Sequence, residues 1–154
     1  MVNRSWGAAV LSLLACGVAH AQSGYGTPFQ FSGAWWVPKI ATSKVGPGPN
    51  LFSANNVFVD AQGRLHLRIT KTANRWQCAE VVMVGTPGYG TYRFVIDSPL
   101  DNFDPNVVLG LFTWNDAPDF NHREIDIEIA KWGVSNNVNG WYPVQPYDTS
   151  GNQV

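Results

Sequence analysis

Glu124, Asp126 and Glu128 occupy alternate positions in the stretch His122 to Gly133, which reads H-R-E-I-D-I-E-I-A-K-W-G. Ile125, Ile127 and Ile129 alternate with them. Side chains on a strand point to opposite faces with a period of two, so a strand here carries three carboxyls on one face and three isoleucines on the other. β-branched isoleucine favours the strand, and no helical spacing gathers these residues into a stripe. Like charges this close repel, which raises at least one pKa and sets a protonated carboxyl beside an ionised one. That pairing suits the cleavage of a glycosidic bond, where two carboxyl groups flank the bond and only one keeps its proton. Asp126, between the glutamates, couples the titrations so that apparent pKa values belong to the set. The plainer reading is a half-buried strand with a solvated face, the usual meaning of apolar–polar alternation.

Spacing along the strand leaves the stereochemistry open. On a flat strand at about 3.3 Å per residue, the Cα atoms of Glu124 and Glu128 stand about 13 Å apart. A retaining reaction wants its carboxyl groups about 5–5.5 Å apart, and an inverting one about 6.5–9.5 Å. A concave sheet and two inward-leaning glutamates shorten the gap toward either figure. His122 shares the parity of the acids, so a His-Glu-Asp-Glu row could ligate a metal. Such a carboxylate-rich set suits calcium, which rarely takes His, and no catalytic metal is expected.

The elements that must position this row read as strands. Gly24 to Phe31 is a loop-like lead-in; Trp35-Trp36-Val37 begins the folded part, and Pro38 is expected to break it. Gly46-Pro47-Gly48-Pro49-Asn50 is a tight loop. Val57 to Val59 and Leu65 to Thr70, joined by Asp60-Ala61-Gln62-Gly63, form a hairpin. Further strands are expected over Arg75 to Val84, Tyr89 to Asp97, Val107 to Trp114, Glu124 to Ala130 and Trp141 to Val144. Short strands at regular intervals with turn residues between them point to an all-β sandwich or jelly roll.

Residues 1–21 read as a secretory signal peptide. Arg4 precedes an apolar run from Trp6 to Ala15, and Ala19-His20-Ala21 supplies a cleavage site before Gln22. The run is shorter than the about 20 apolar residues a spanning helix needs. Leu13-Leu14-Ala15-Cys16 offers an alternative, a lipid anchor on Cys16. The rest, 22–154, is one modest domain, secreted and read as a monomer. Lys and Arg total 10 against 11 Asp and Glu; setting Arg4 aside leaves 9 against 11, a formal charge of −2. That balance argues against nucleic acid or an anionic membrane as partner. Cys78 is the one cysteine past the leader, so no intrachain disulfide forms, and it reads as a small buried hydrophobe.

The acidic motif resembles that of the family 16 glycoside hydrolases, in the E-x-D-x-E form that lichenases and xyloglucan-active relatives carry. Asn55-Asn56-Val57 with Gly63-Arg64-Leu65-His66-Leu67 is similar to the family's entry hairpin. Cys78-Ala79-Glu80 and Gly88-Tyr89-Gly90-Thr91-Tyr92 resemble the strand pair before the site, and Val107 to Trp114 the strand beside it. The resemblance implies a concanavalin-like jelly-roll sandwich of two curved antiparallel sheets, whose concave face holds a β-glucan or related polysaccharide. It also implies a retaining mechanism: Glu124 as nucleophile, Glu128 as acid and then base, and Asp126 tuning their protonation. Glu80 matches a sugar-contacting glutamate and Asn50 a cleft-lining asparagine. No catalytic cofactor is implied; a structural calcium occurs in some relatives, with no location readable here. The family's domain usually extends beyond this length, so the N-terminal part of such a domain is expected. Asn121-His122-Arg123 departs from the aromatic that lichenases carry upstream of the motif.

Aromatic residues near the row invite stacking on sugar rings. Trp114 ends the neighbouring strand and Trp132 follows the acidic one, so both are read with His122 as substrate-binding, Trp141 being a further candidate. Trp35, Trp36 and Trp76 are read as core. Two alternatives to a hydrolase stand: a carbohydrate-binding jelly-roll module, or an inactive fragment with exposed sheet edges.

Overall fold

The computed structural model describes residues 23–152. The leader expected at 1–21 and the anchor at Cys16 lie outside the described residues. The described chain is all-β, with strands joined by turns and two short 3-10 turns at Ala54–Asn56 and Asn121–Arg123. It divides into two units, 1–88 and 89–154.

The first unit opens with β1 (Ser23–Tyr25) and β2 (Phe29–Phe31), where a lead-in loop was expected. Both pair with β3 (Ala34–Val45), which runs straight through Pro38 instead of ending there. The reason is local. Pro38 sits where one edge of β3 passes from β2 to β1, so its missing N–H coincides with a gap between partners, while its carbonyl still accepts from Gly26 N at 2.8 Å. A Cβ on Gly26 would meet Pro38 Cγ at 2.9 Å, so only glycine allows this approach.

β4 (Asn50–Phe52) and β9 (Val81–Met83) complete the five-stranded sheet on β3. The expected hairpin forms as β5 (Val57–Val59) and β6 (Leu65–Leu67). A second hairpin joins β7 (Thr70–Thr72) to β8 (Arg75–Gln77). The strand expected over Arg75 to Val84 is therefore two, because Cys78 leaves β8 to bridge Phe52. Ala41, Leu51 and Phe52 form the core, around Asn56 at 2% exposure. Asn56 donates to Gln77 O at 2.8 Å and accepts from Thr70 Oγ1 at 3.0 Å, tying both strands of the β7–β8 hairpin to the turn before β5. Trp35 and Trp76 are 52% and 61% exposed, not core as read; Lys71 Nζ covers the Trp76 ring at 5.5 Å.

In the second unit Tyr89 to Asp97, expected as a strand, is irregular. β10 (Val108–Phe112), β11 (Asp126–Ala130) and β12 (Gly140–Trp141) make an antiparallel sheet. Val108 faces Ala130, Gly110 faces Glu128 and Phe112 faces Asp126; across the other edge Trp141 faces Glu128. Directly opposed residues share a face, so the carboxyls point the way Val108, Gly110, Phe112 and Trp141 do. On β11 and the residue before it, burial runs in the reverse of the order alternation suggests. Asp126 is 5% exposed and Ala130 3%, whereas Ile125 is 55% exposed and Ile127 37%. Among the described residues of this unit no second strand layer rests on Ile125 and Ile127.

Candidate active site

The carboxyl row is held by backbone ladders on both sides. Glu128 and Asp126 lie within β11, and Glu124 just before it, its carbonyl accepting from Gln145 N at 3.1 Å. Asp126 N donates to Pro143 O at 3.0 Å, and Ile125 bridges Val144. The register of β12 therefore continues to Gln145, which lies opposite Glu124.

Glu124 and Asp126 are within hydrogen-bonding reach of one another, and Glu128 feels the charge of Asp126. Burial first, then the charge of Asp126, push Glu124 up to about 7, with Glu128 adding and His122 subtracting. Burial also lifts Glu128, again with help from Asp126. Asp126 is raised by burial but drawn back by hydrogen bonds from Gln145 and Glu124. A row of desolvated carboxyls cannot all ionise together, so protons are retained within it near neutrality. Opposite Glu128 stands Gly110, which leaves that flank of the carboxyl without a side chain.

The approach to Glu124 is built from an unusual turn. Phe120, Asn121, His122 and Arg123 all have left-handed backbone, with φ of 54°, 50°, 58° and 53°. Such residues cost free energy unless the surroundings hold them, and they cluster at functional sites. Here Thr113 does the holding: its Oγ1 donates to Arg123 O at 2.9 Å and accepts from Ile125 N at 3.0 Å. Asn115 N donates to His122 O at 2.8 Å, and His122 Nδ1 bonds Asn115 O at 2.8 Å. The imidazole lies flat on Trp114, centroids 4.1 Å apart and planes 9° from parallel. Trp114, His122 and the carboxyl row are thus brought together.

Trp132 takes a different place. With φ of 52° it leaves β11 and meets Trp141 edge-on at 6.4 Å. Trp141, whose Nε1 donates to Ala130 O at 2.9 Å, is the residue beside Glu128. Reading from sequence ranked these two the other way and missed Gln145 altogether. Gln145 Nε2 donates to Asp126 Oδ2 at 3.1 Å. The signal that could have found it is the parity of the return strand, counted back from Trp141.

Asn50 and Glu80 belong to the first unit. Asn50 Nδ2 donates to Pro47 O, closing the Gly46–Asn50 turn, while Cys78 Sγ lies 3.8 Å from Asn50 Oδ1. Burial pushes the Cys78 thiol upward. Glu80 pairs with Lys39 Nζ at 2.8 Å, and Lys39 also covers the Phe52 ring at 4.4 Å. Both side chains thus have protein partners. Among the described residues no group of three His, Cys, Asp or Glu is arranged to hold a metal ion.

Compared with protein-family models, with curated proteins and with solved structures, the chain shows no match.

Proposed function

We propose that the chain is an exported, retaining endo-type glycoside hydrolase acting on a β-linked glucan or related polysaccharide, with a family 16-like jelly roll as its architecture. The observation that carries the proposal is the row of three partly desolvated carboxyls on one strand face, with an open flank at Gly110. The retaining course rests on the motif's resemblance to that family.

In the first step the Glu124 carboxylate bonds to the anomeric carbon as the glycosidic C–O bond breaks. Glu128 gives its proton to the departing oxygen, and a glycosyl ester on Glu124 results. In the second step Glu128, now ionised, takes a proton from water while the water oxygen attacks the same carbon and frees Glu124. Asp126 governs where the protons sit. Trp114, with His122 stacked upon it, offers a flat face for a sugar ring near Glu124, and Trp141 offers another near Glu128. No cofactor enters either step.

Incubation with several β-glucans, read as reducing ends and as the anomer first released, tests this. Release of the β-anomer, lost in Glu124→Ala and Glu128→Ala, supports it; inverted product or unchanged variants overturn it. A second reading, a carbohydrate-binding module without turnover, is favoured by the retention of a proton on Glu124. Glucan binding without release of reducing ends marks that outcome.

A further inference from the structure

Gln145 is pinned at three points. Its backbone N donates to Glu124 O at 3.1 Å, its Oε1 accepts from Tyr147 N at 3.1 Å, and its Nε2 donates to Asp126 Oδ2 at 3.1 Å. The segment carrying it is itself tied down. Val144 N donates to Asn152 O at 2.6 Å, and Asn152 Nδ2 donates to Pro146 O at 3.1 Å. Because a backbone N–H can only donate, the Tyr147 bond settles which end of the amide is oxygen, and the NH₂ must face Asp126. A donor aimed at a carboxyl favours its charged form. Among the described residues no comparable donor reaches the side chain of Glu124, which is within hydrogen-bonding reach of the same aspartate, so the two acids differ in surroundings.

We infer that Gln145 is a positioning residue that holds Asp126 as the ionised member of a one-proton Glu124–Asp126 pair, so that the proton rests on Glu124. The inference rests on the glycosidase reading only for its consequence: that Gln145 sets the acidic limb of the pH profile. Other charged groups facing the pair are few. Glu128 lies two places along β11 and His122 two places before Glu124. β10 (Val108–Phe112) and β12 (Gly140–Trp141) bring no titratable side chain; past β12, Tyr142 lies on the isoleucine face and the return segment carries Tyr147 and Asp148. The shift of Glu124 toward neutral pH agrees with a charged Asp126 beside it.

The test reads the carboxyls directly. Protein labelled with ¹³C at glutamate side-chain carboxyls is titrated by NMR, with the Glu124 signal assigned by its loss in Glu124→Gln. In Gln145→Met, close in length and shape but lacking the donor, Asp126 competes for the proton. The Glu124 midpoint then falls by about one pH unit, the scale of one hydrogen bond to a charged group, and its curve broadens. Gln145→Leu serves as a second variant where the first fails to fold. In an Asp126→Asn background the Gln145→Met change should leave Glu124 where it was. A midpoint that stays or rises in Gln145→Met, or that still falls without the aspartate, overturns the inference. These readings need no turnover. Normal titration with no cleavage of any glucan counts against the proposed function alone.

Discussion

Glu124 and Glu128 have opposite duties in the proposed reaction, and their surroundings make the consequences measurable. Glu124 must be ionised to attack, yet burial and Asp126 lift it to about 7. Ionisation of Glu124 should therefore make the rate rise with pH on the acidic limb, and loss of the Glu128 proton should make it fall at higher pH. Asp126→Asn removes a charge that opposes ionisation, so that limb should move to lower pH; kcat/KM measured across pH checks it. On a polysaccharide, Glu128→Ala should cost about 10²–10⁴-fold in rate, while an activated aryl glycoside, whose leaving group needs no acid, should be spared in the first step. Equal loss on both substrates would mean that the roles are misassigned. Stability responds to the same groups. An acid raised on folding contributes stability that is complete below its ordinary value of about 4.5 and disappears as pH climbs toward 7. Asp60 is the opposite case. The His66 ring and the Arg64 backbone N–H hold its carboxyl well below the usual range, so its contribution is present above the ordinary value of 3.8 and fades as pH falls below it.

At the scale of elements, the site depends on what stands beside β11. Gly110 lies opposite Glu128, and a Cβ added there meets only Phe112 Cδ1 at 3.8 Å. Gly110→Ala should fold as well or better, by about 0.4–1 kcal/mol, because alanine loses less backbone freedom. Gly110→Leu should also fold, but it covers the flank of Glu128, so KM should rise or turnover fall with the melting temperature held. In the first unit the sensitive junction is Asn56. Asn56→Ala leaves Gln77 O and Thr70 Oγ1 without their partner and should cost about 1–3 kcal/mol, read by urea denaturation. The hairpin at Val57 to Leu67 and the strands near Val107 and Glu124 were legible from alternation and turn residues. Pro38 misled because a proline breaks a ladder only where its N–H is wanted, and a change of partner strand removes that need.

Across the second unit as a whole the notable property is an exposed apolar face. Ile125, Ile127, Tyr142 and Val144 are all more than a third exposed on one side of the β10–β11–β12 sheet. Exposed patches of this kind bind apolar dyes and promote association. The double change Ile125→Thr and Ile127→Thr keeps β-branching, so it should lower both dye fluorescence and concentration-dependent light scattering with little loss of strand structure. Unchanged dye binding would show that these isoleucines are covered in solution. The unit's buried side chains are instead on the carboxyl side, where Asp126, Ala130 and Pro143 pack.

The amino-acid sequence by itself determined the period-two row and therefore which three carboxyls share a face, because alternation is a property of a single strand. It also set the all-β character, through β-branched runs punctuated by glycine and proline. Only the tertiary structure decided which neighbours that row has. Gln145 reaches Asp126, Trp141 displaces Trp132 beside Glu128, and Trp114 stacks on His122, each through antiparallel register or a turn held by Thr113. Glu80 is occupied by Lys39, 41 residues away, for the same reason. Register and partner choice depend on segments many residues apart, and no local pattern encodes them.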